Sequence, residues 1–316
     1  MLEHEIKNGM DMSEKKKNWR QIIRFSVRLL ISLAACLFLV FYIDWREFVS
    51  YISQANIGFL VVAFLAAHLC IWISGYKWYI LCREGEDLHF FTCLKWYYIG
   101  FFFNNFLPGS IGGDGVRMYL AGKQIGAANS IASVTTERVF AGIALFIIMT
   151  IGLLSMNQTG TFLFEVIFLF SLCVLTYSLL FNEQISSYLK RKLGKNAAAF
   201  YNVIHTHKKG KLFLELICFS LAFQVCFVWI TDLLYRSMGV TIPFWSQLAF
   251  VSLISVLTMI PISINGLGIR EGSYAYLFTL VGVGESVSVA VSLLFFGMVL
   301  AVTSVGGIFY LFERGR

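Results

Sequence analysis

The chain has 316 residues, of which 58% are hydrophobic, 16% aromatic and only 14% charged. Soluble domains carry about 25% charged residues, so this composition excludes a water-soluble globular protein, and the lack of short alternating segments excludes a membrane β-barrel. The net charge of +7 reads as membrane topology rather than nucleic-acid binding, because the basic residues collect beside apolar runs.

Apolar runs near the length that crosses a bilayer, about 20 residues, are predicted at 25–43, 57–81, 89–107, 127–156, 161–181, 212–236, 246–261 and 286–312. The basic stretch 14–24 precedes the first run, which places the N-terminal segment 1–24 in the cytoplasm. The second run then returns and leaves 83–87 inside. The third reaches "NNFLPGSIGGDGVR" (104–117), where asparagines, a proline, glycines and charges interrupt the apolar pattern. If it simply crossed, the loop 182–211, with its seven Lys/Arg, would lie outside. A break at Pro108–Asp114 with a return through 115–124 keeps that loop cytoplasmic. It also leaves the loops 157–160 and 240–245, which hold no Lys or Arg, external. The same reasoning makes 246–261 enter from outside, break at Pro261–Gly268 and return through 269–283. The last run brings the tail 313–316 inside. Only Arg46, Arg236 and Arg270 of the 25 basic residues then lie on the outer side.

The two interruptions align. Pro108-Gly109-Ser110-Ile111-Gly112-Gly113-Asp114-Gly115-Val116-Arg117 matches Pro261-Ile262-Ser263-Ile264-Asn265-Gly266-Leu267-Gly268-Ile269-Arg270 at Pro, Ser, Ile, two Gly and Arg. The expected fold is therefore an all-α polytopic membrane protein. It has about eight transmembrane helices plus two re-entrant broken hairpins (104–124 and 261–283) in an inverted repeat, all in one membrane domain over 25–312. Transporters with inverted repeats place substrate near the membrane midplane, and irregular backbone at that depth survives only beside protein or a polar cavity.

A glycine-rich break before a short helix presents backbone N–H groups suited to phosphate. Arg117 and Arg270 follow within a turn and can grip phosphate in bidentate fashion. Ser110, Gly112, Gly113, Ser263, Asn265 and Gly266, with Asn104 and Asn105, supply neutral hydrogen-bonding groups. The alternative is that the glycines serve packing and the arginines reach headgroups. Charges at membrane depth cost about 2.5–3.5 kcal/mol each, so Asp114, Glu137, Arg138 and Glu271 need partners or purpose. They form gates, proton carriers or structural ion pairs. Asp114 has no counterpart in the second motif, where Leu267 stands. Asp232 is expected to pair with Arg236. Lys77 and Lys95, beside Trp78 and Trp96, are read as interfacial anchors, and His68 as a helix-packing residue.

The seven cysteines lack a CxxC pair or metal-ligand spacing and read as small hydrophobes. "LAAC" at 33–36 is not expected to act as a cleavage box, since the apolar run continues past it. No Walker, GxSxG or HExxH motif is present, so neither cofactor nor metal is expected.

The motifs "LPGSIGGDGVR", "TTERVF" (135–140) and "PISINGLGIREG", on eight spans, resemble the membrane (flippase-like) domain of lysylphosphatidylglycerol synthases over roughly 20–312. The resemblance implies a multi-pass protein of a bacterial or archaeal inner membrane that moves a phosphate-bearing lipid between leaflets. Family members are associated with aminoacylated phosphatidylglycerol, and relatives with isoprenoid-phosphate or hopanoid lipids. By motif, it carries over Asp114, Arg117, Glu137, Arg138, Arg270 and Glu271. It implies membrane lipids with anionic headgroups as partners, a lipid-modifying enzyme or a second copy as further candidates, and no nucleic acid. The full synthases add a soluble domain that transfers the amino acid from tRNA. This sequence stops at Arg316, and lysyltransferase activity is not expected of these residues. Two rival readings are a membrane-embedded headgroup transferase and a scaffold for lipid-synthesis enzymes.

Overall fold

The computed structural model describes residues 45–83, 88–105, 111–156, 210–259 and 266–314, with isolated positions between 167 and 191. The spans expected at 25–43 and 161–181, most of the basic loop 182–211, and Ser110, Ser263 and Asn265 lie outside the described residues.

The described residues form helices without strands. They are α1 (Trp45–Ser53), α2 (Ile57–Cys82), α3 (Phe90–Asn104), α4 (Ile111–Ile125), α5 (Ala127–Ser155), α6 (Gly210–Ser237), α7 (Phe244–Met259), α8 (Ile269–Thr279) and α9 (Glu285–Arg314). Four of them, α2, α5, α6 and α9, are long and apolar enough to cross a membrane. At 1.5 Å per residue the 26 residues of α2 extend about 39 Å, more than the roughly 30 Å hydrocarbon core. Large apolar side chains stand exposed on them, as at Val61, Leu65 and Leu69 on α2.

Between these long helices sit two short antiparallel pairs. Helices α3 and α4 have 15 residues each, about 22 Å. They pair through Asn104, whose Oδ1 accepts the Gly113 N–H at 2.7 Å, and through Gly100, which packs on Gly113 and the Arg117 stem. Helices α7 and α8, of 16 and 11 residues, pair through Phe250 and Phe278 and through Gly266 against Thr258. Gly266 and Gly268 turn this link at φ of +73° and +83°, a region that favours glycine. The first break is shorter than the sequence suggested. Helix α4 starts at Ile111, so Gly112, Gly113 and Asp114 are already helical. The Asn104 side chain satisfies one N–H of that first turn and lets the helix begin early.

The packing has an internal correspondence. Exchanging α2–α5 with α6–α9 maps the helix contacts onto one another: α5 on α7 matches α9 on α3, α4 on α5 matches α8 on α9, and α2 on α3 matches α6 on α7. Helices α2 and α6 meet each other directly and run antiparallel. There, Cys226 Sγ donates to the Ala66 carbonyl at 3.6 Å, and Cys70 Sγ lies 4.0 Å from the Phe223 carbonyl. Two glycines seat the matched contacts, Gly152 of α5 against Trp245 and Ala249, and Gly306 of α9 against Tyr98 and Ile99.

The main core gathers α2, α5, α6, α7, α8 and α9, and a second core gathers α2, α3, α4, α9 and Val134 of α5. His68 packs as expected, its Nδ1 2.7 Å from the Tyr98 hydroxyl. Of the described cysteines, Cys70, Cys82, Cys93 and Cys226 are buried and Cys218 is exposed.

Candidate functional site

Five helices meet at one buried point, three of them bringing charge and two a hydroxyl. Asp114 and Arg117 lie one turn apart on α4, Glu137 and Arg138 are adjacent on α5, and Lys77 comes from α2, Tyr97 from α3 and Ser220 from α6. Arg117, only 1% exposed, donates to Glu137 Oε2 at 2.8 Å and to Asp114 Oδ1 at 2.7 Å. Arg138 grips both oxygens of Asp114, at 2.7 and 2.8 Å. The Tyr97 hydroxyl donates to Glu137 Oε1 at 2.8 Å. The Arg117 guanidinium packs over two adjacent rings, 4.4 Å from the Tyr97 centroid and 5.0 Å from Trp78. Such a cation gains from the ring quadrupoles where water is excluded.

The local sequence explains how an arginine gets so deep. Gly100 leaves room for the Arg117 stem, since a Cβ there would meet Arg117 Cγ at 2.5 Å. The close α3–α4 pairing then aims the guanidinium at α5. Trp78 is held in place by its indole N–H, which donates to Ser133 Oγ at 3.1 Å.

Lys77 corrects the expectation of an interfacial anchor. Its side chain is 2% exposed, with Nζ 3.2 Å from Ser220 Oγ and 3.8 Å from Glu137 Oε1. The neighbouring Trp78 suggested an interface, but Ser220 of α6 meets Lys77, and α3, α4 and α5 cover Trp78. Lys95 is the half-exposed one and pairs with Glu313 at 3.1 Å.

A second, smaller centre sits at the start of α8. Arg270 donates to its neighbour Glu271 at 3.0 Å. Glu271 also accepts the Gly268 N–H at 2.6 Å, capping its own helix, and lies 3.4 Å from Ser292 Oγ on α9. The Arg270 guanidinium stands 5.0 Å from the Phe296 centroid and 6.0 Å from Phe295. The expected Asp232–Arg236 pair is present at 2.6 Å, and Gln247 donates to the other Asp232 oxygen at 2.8 Å.

Between the two arginine centres lies an apolar cleft among α2, α3, α6 and α9, lined by Cys70, Phe101, Phe223, Phe227, Phe295 and Thr303 with their neighbours. Both centres connect to it through aromatic rings. On one side, Arg117 rests on Tyr97, which stacks on Phe101 at 5.1 Å. On the other, Arg270 faces Phe295. Along α2, Cys70 of the cleft and Lys77 of the first centre are separated by seven residues, about 10 Å. Along α9, Ser292 and Val299 are spaced alike. Charge, apolar waist and charge thus follow one another through the helix assembly.

The sequence singled out Asp114, Arg117, Glu137 and Arg138, and the fold brings them together; Arg270 and Glu271 pair separately. Gly112 and Gly113 belong to the helix that carries Arg117, and Gly266 to the turn before Arg270. Sequence reasoning missed Lys77, Tyr97, Trp78 and Ser220. One signal for Lys77 was available: Ser74, one turn before it, marks a polar stripe on an otherwise apolar helix. Among the described residues no cluster of His, Cys, Asp and Glu suits a metal ion.

A family model described as the lysylphosphatidylglycerol synthase TM region matches residues 25–307. No curated protein and no solved structure matches. The motif-bearing helices that build both centres fall inside the matched span, and the chain belongs to the lysylphosphatidylglycerol synthase membrane-region family.

Proposed function

We propose that this protein moves a phosphate-bearing lipid between the leaflets of a membrane. The observation that carries the reading is the pair of buried arginine centres on either side of one apolar cleft. A headgroup crossing a membrane needs polar stations inside protein, and its tails need an apolar surface beside them. Guanidinium groups match phosphate geometry. In this reading α3–α4 and α7–α8, each helix shorter than the hydrocarbon core, are re-entrant hairpins from opposite faces, on an eight-span inverted repeat with both termini cytoplasmic. The antiparallel α2–α6 contact and the matched helix packing support that arrangement.

Arg138, whose side chain is 37% exposed, makes the first contact with phosphate at the inner station. Arg117 is held by both carboxylates and reaches the headgroup only by exchanging one of them, which makes Asp114 and Glu137 the gate. At the outer station Arg270 receives the headgroup while Glu271 stays fixed by its helix cap.

That difference yields a clean test. In Arg270→Met the carboxylate keeps the Gly268 N–H and Ser292, which offset part of the loss of a buried ion pair, so exchange is compared at equal amounts of folded, inserted protein. Charge-assisted hydrogen bonds are worth about 1.5–3 kcal/mol, so lipid exchange should fall by about ten-fold or more. The check is the exchange rate of fluorescent phosphatidylglycerol between leaflets of proteoliposomes. An unchanged rate in correctly inserted variant would remove Arg270 from the headgroup path.

A further inference from the structure

The α2–α6 seam holds two cysteines at matched places in the sequence. Leu65-Ala66-Ala67-His68-Leu69-Cys70 on α2 aligns with Leu221-Ala222-Phe223-Gln224-Val225-Cys226 on α6 at Leu, Ala and Cys, with Leu69 opposite Val225. Antiparallel packing brings the two cysteines together. Cys226 Sγ sits 3.6 Å from the Ala66 carbonyl, which in an α-helix accepts the Cys70 backbone N–H. Cys70 Sγ lies 4.0 Å from the Phe223 carbonyl, in the turn just before Cys226. Each thiol therefore rests on the turn that carries the other, and the two are side-chain hydrogen-bond partners. Small residues buried at the seam, Ala63 and Ala66, allow this approach. Cys70 also lines the apolar cleft, beside Phe223 and Phe227 of α6. Cys82 and Cys93 are partners too, but neither lines the cleft.

We infer that Cys70 and Cys226 are a disulfide-forming site for oxidants that dissolve in the bilayer, and that the bond locks the two halves of the helix assembly. Thiolates are disfavoured in apolar surroundings, so hydrogen peroxide, which acts from water on a thiolate, is not the oxidant. An apolar two-electron oxidant that enters the cleft meets the neutral Cys70 thiol. Molecular iodine is the probe of that class. The Cys70 sulfur displaces one iodide and gives up its proton, and the Cys226 sulfur then displaces the second iodide and gives up its own. One S–S bond forms, two S–H bonds and the I–I bond break, and two electrons pass from sulfur to iodine. The new bond ties α2 of the first half to α6 of the second and fixes one wall of the cleft. Its effect on lipid exchange rests on the transport reading above, whereas its formation does not.

The test treats the purified full chain, in detergent and in vesicles, with iodine or with hydrogen peroxide, removes the excess, and maps disulfides by peptide mass spectrometry. Iodine should join the peptides that hold Cys70 and Cys226. It should also raise the thermal midpoint by about 5 °C, the scale of a native cross-link, and bring leaflet exchange of fluorescent phosphatidylglycerol to the protein-free rate. Dithiothreitol should reverse all three changes. Hydrogen peroxide should leave both thiols reduced. Cys226→Ala should lose the joined peptide and the iodine sensitivity of exchange, and Cys218→Ala should keep both. Absence of the joined peptide after iodine, or its appearance after peroxide, would overturn the inference. A joined chain that exchanges lipid at its untreated rate would overturn the lock. A chain that forms the bond but exchanges no lipid before treatment sinks the transport reading alone and leaves the disulfide site standing.

Discussion

Arg117→Met is expected to cost about 3–5 kcal/mol of stability, the usual penalty for breaking a buried ion pair, and to lower the yield of folded protein before any effect on transport is read. The side chain is 1% exposed, bonds two carboxylates and packs over the Trp78 and Tyr97 rings. Removing the guanidinium leaves Glu137 with Tyr97 and Lys77 and Asp114 with Arg138, in a setting where water cannot replace what was lost. The thermal midpoint in detergent is the measurement. Arg117→Met combined with Glu137→Gln should recover part of the loss, because the stranded carboxylate is gone. A single variant as stable as wild type would mean that the cluster is open to water, against the burial seen here.

Gly306→Val should be nearly as damaging for a different reason. A Cβ at this position overlaps the Tyr98 carbonyl and meets Ile99 N at 2.9 Å, and backbone atoms cannot step aside as a flexible side chain can. Helix α9 must then back away from α3. That loosens the Asn105–Thr303 hydrogen bond of 2.7 Å and the Lys95–Glu313 pair of 3.1 Å on the same seam. Overpacking typically costs about 1–3 kcal/mol, and two extra methyl groups against backbone place this variant at or above the top of that range. Gly297→Ala on the same helix meets nothing within 4 Å and should melt at or above the wild-type temperature. Equal melting of Gly306→Val and wild type would show that α3 and α9 pack less closely than described.

Long apolar runs made α2, α5, α6 and α9 legible from the sequence, because a helix in lipid must satisfy its own backbone and shows it over 20 or more residues. Asp232 and Arg236 were legible for a local reason: one helical turn fixes their contact. Arg117 was legible as important but not as paired. Its bond to Glu137 depends on how α4 packs on α5, and nothing within either segment encodes that. Lys77 was misjudged because a lysine beside a tryptophan near a helix end fits an interface equally well, and only the packing of α6 buries it. The start of α4 was legible to within a few residues of the expected break. That early start depends on Asn104, a capping group supplied from the preceding helix.

In the proposed transport a headgroup passes from one arginine centre to the other past the apolar cleft. The most direct measurement is leaflet exchange of acyl-labelled fluorescent phosphatidylglycerol in vesicles holding the purified wild-type chain alone, with a membrane-impermeant reductant added outside. Exchange predicts that the inner-leaflet fluorescence is also lost, within minutes. Fluorescence that stays as protected as in protein-free vesicles, with the protein folded and inserted, would mean that the chain does not move this lipid between leaflets.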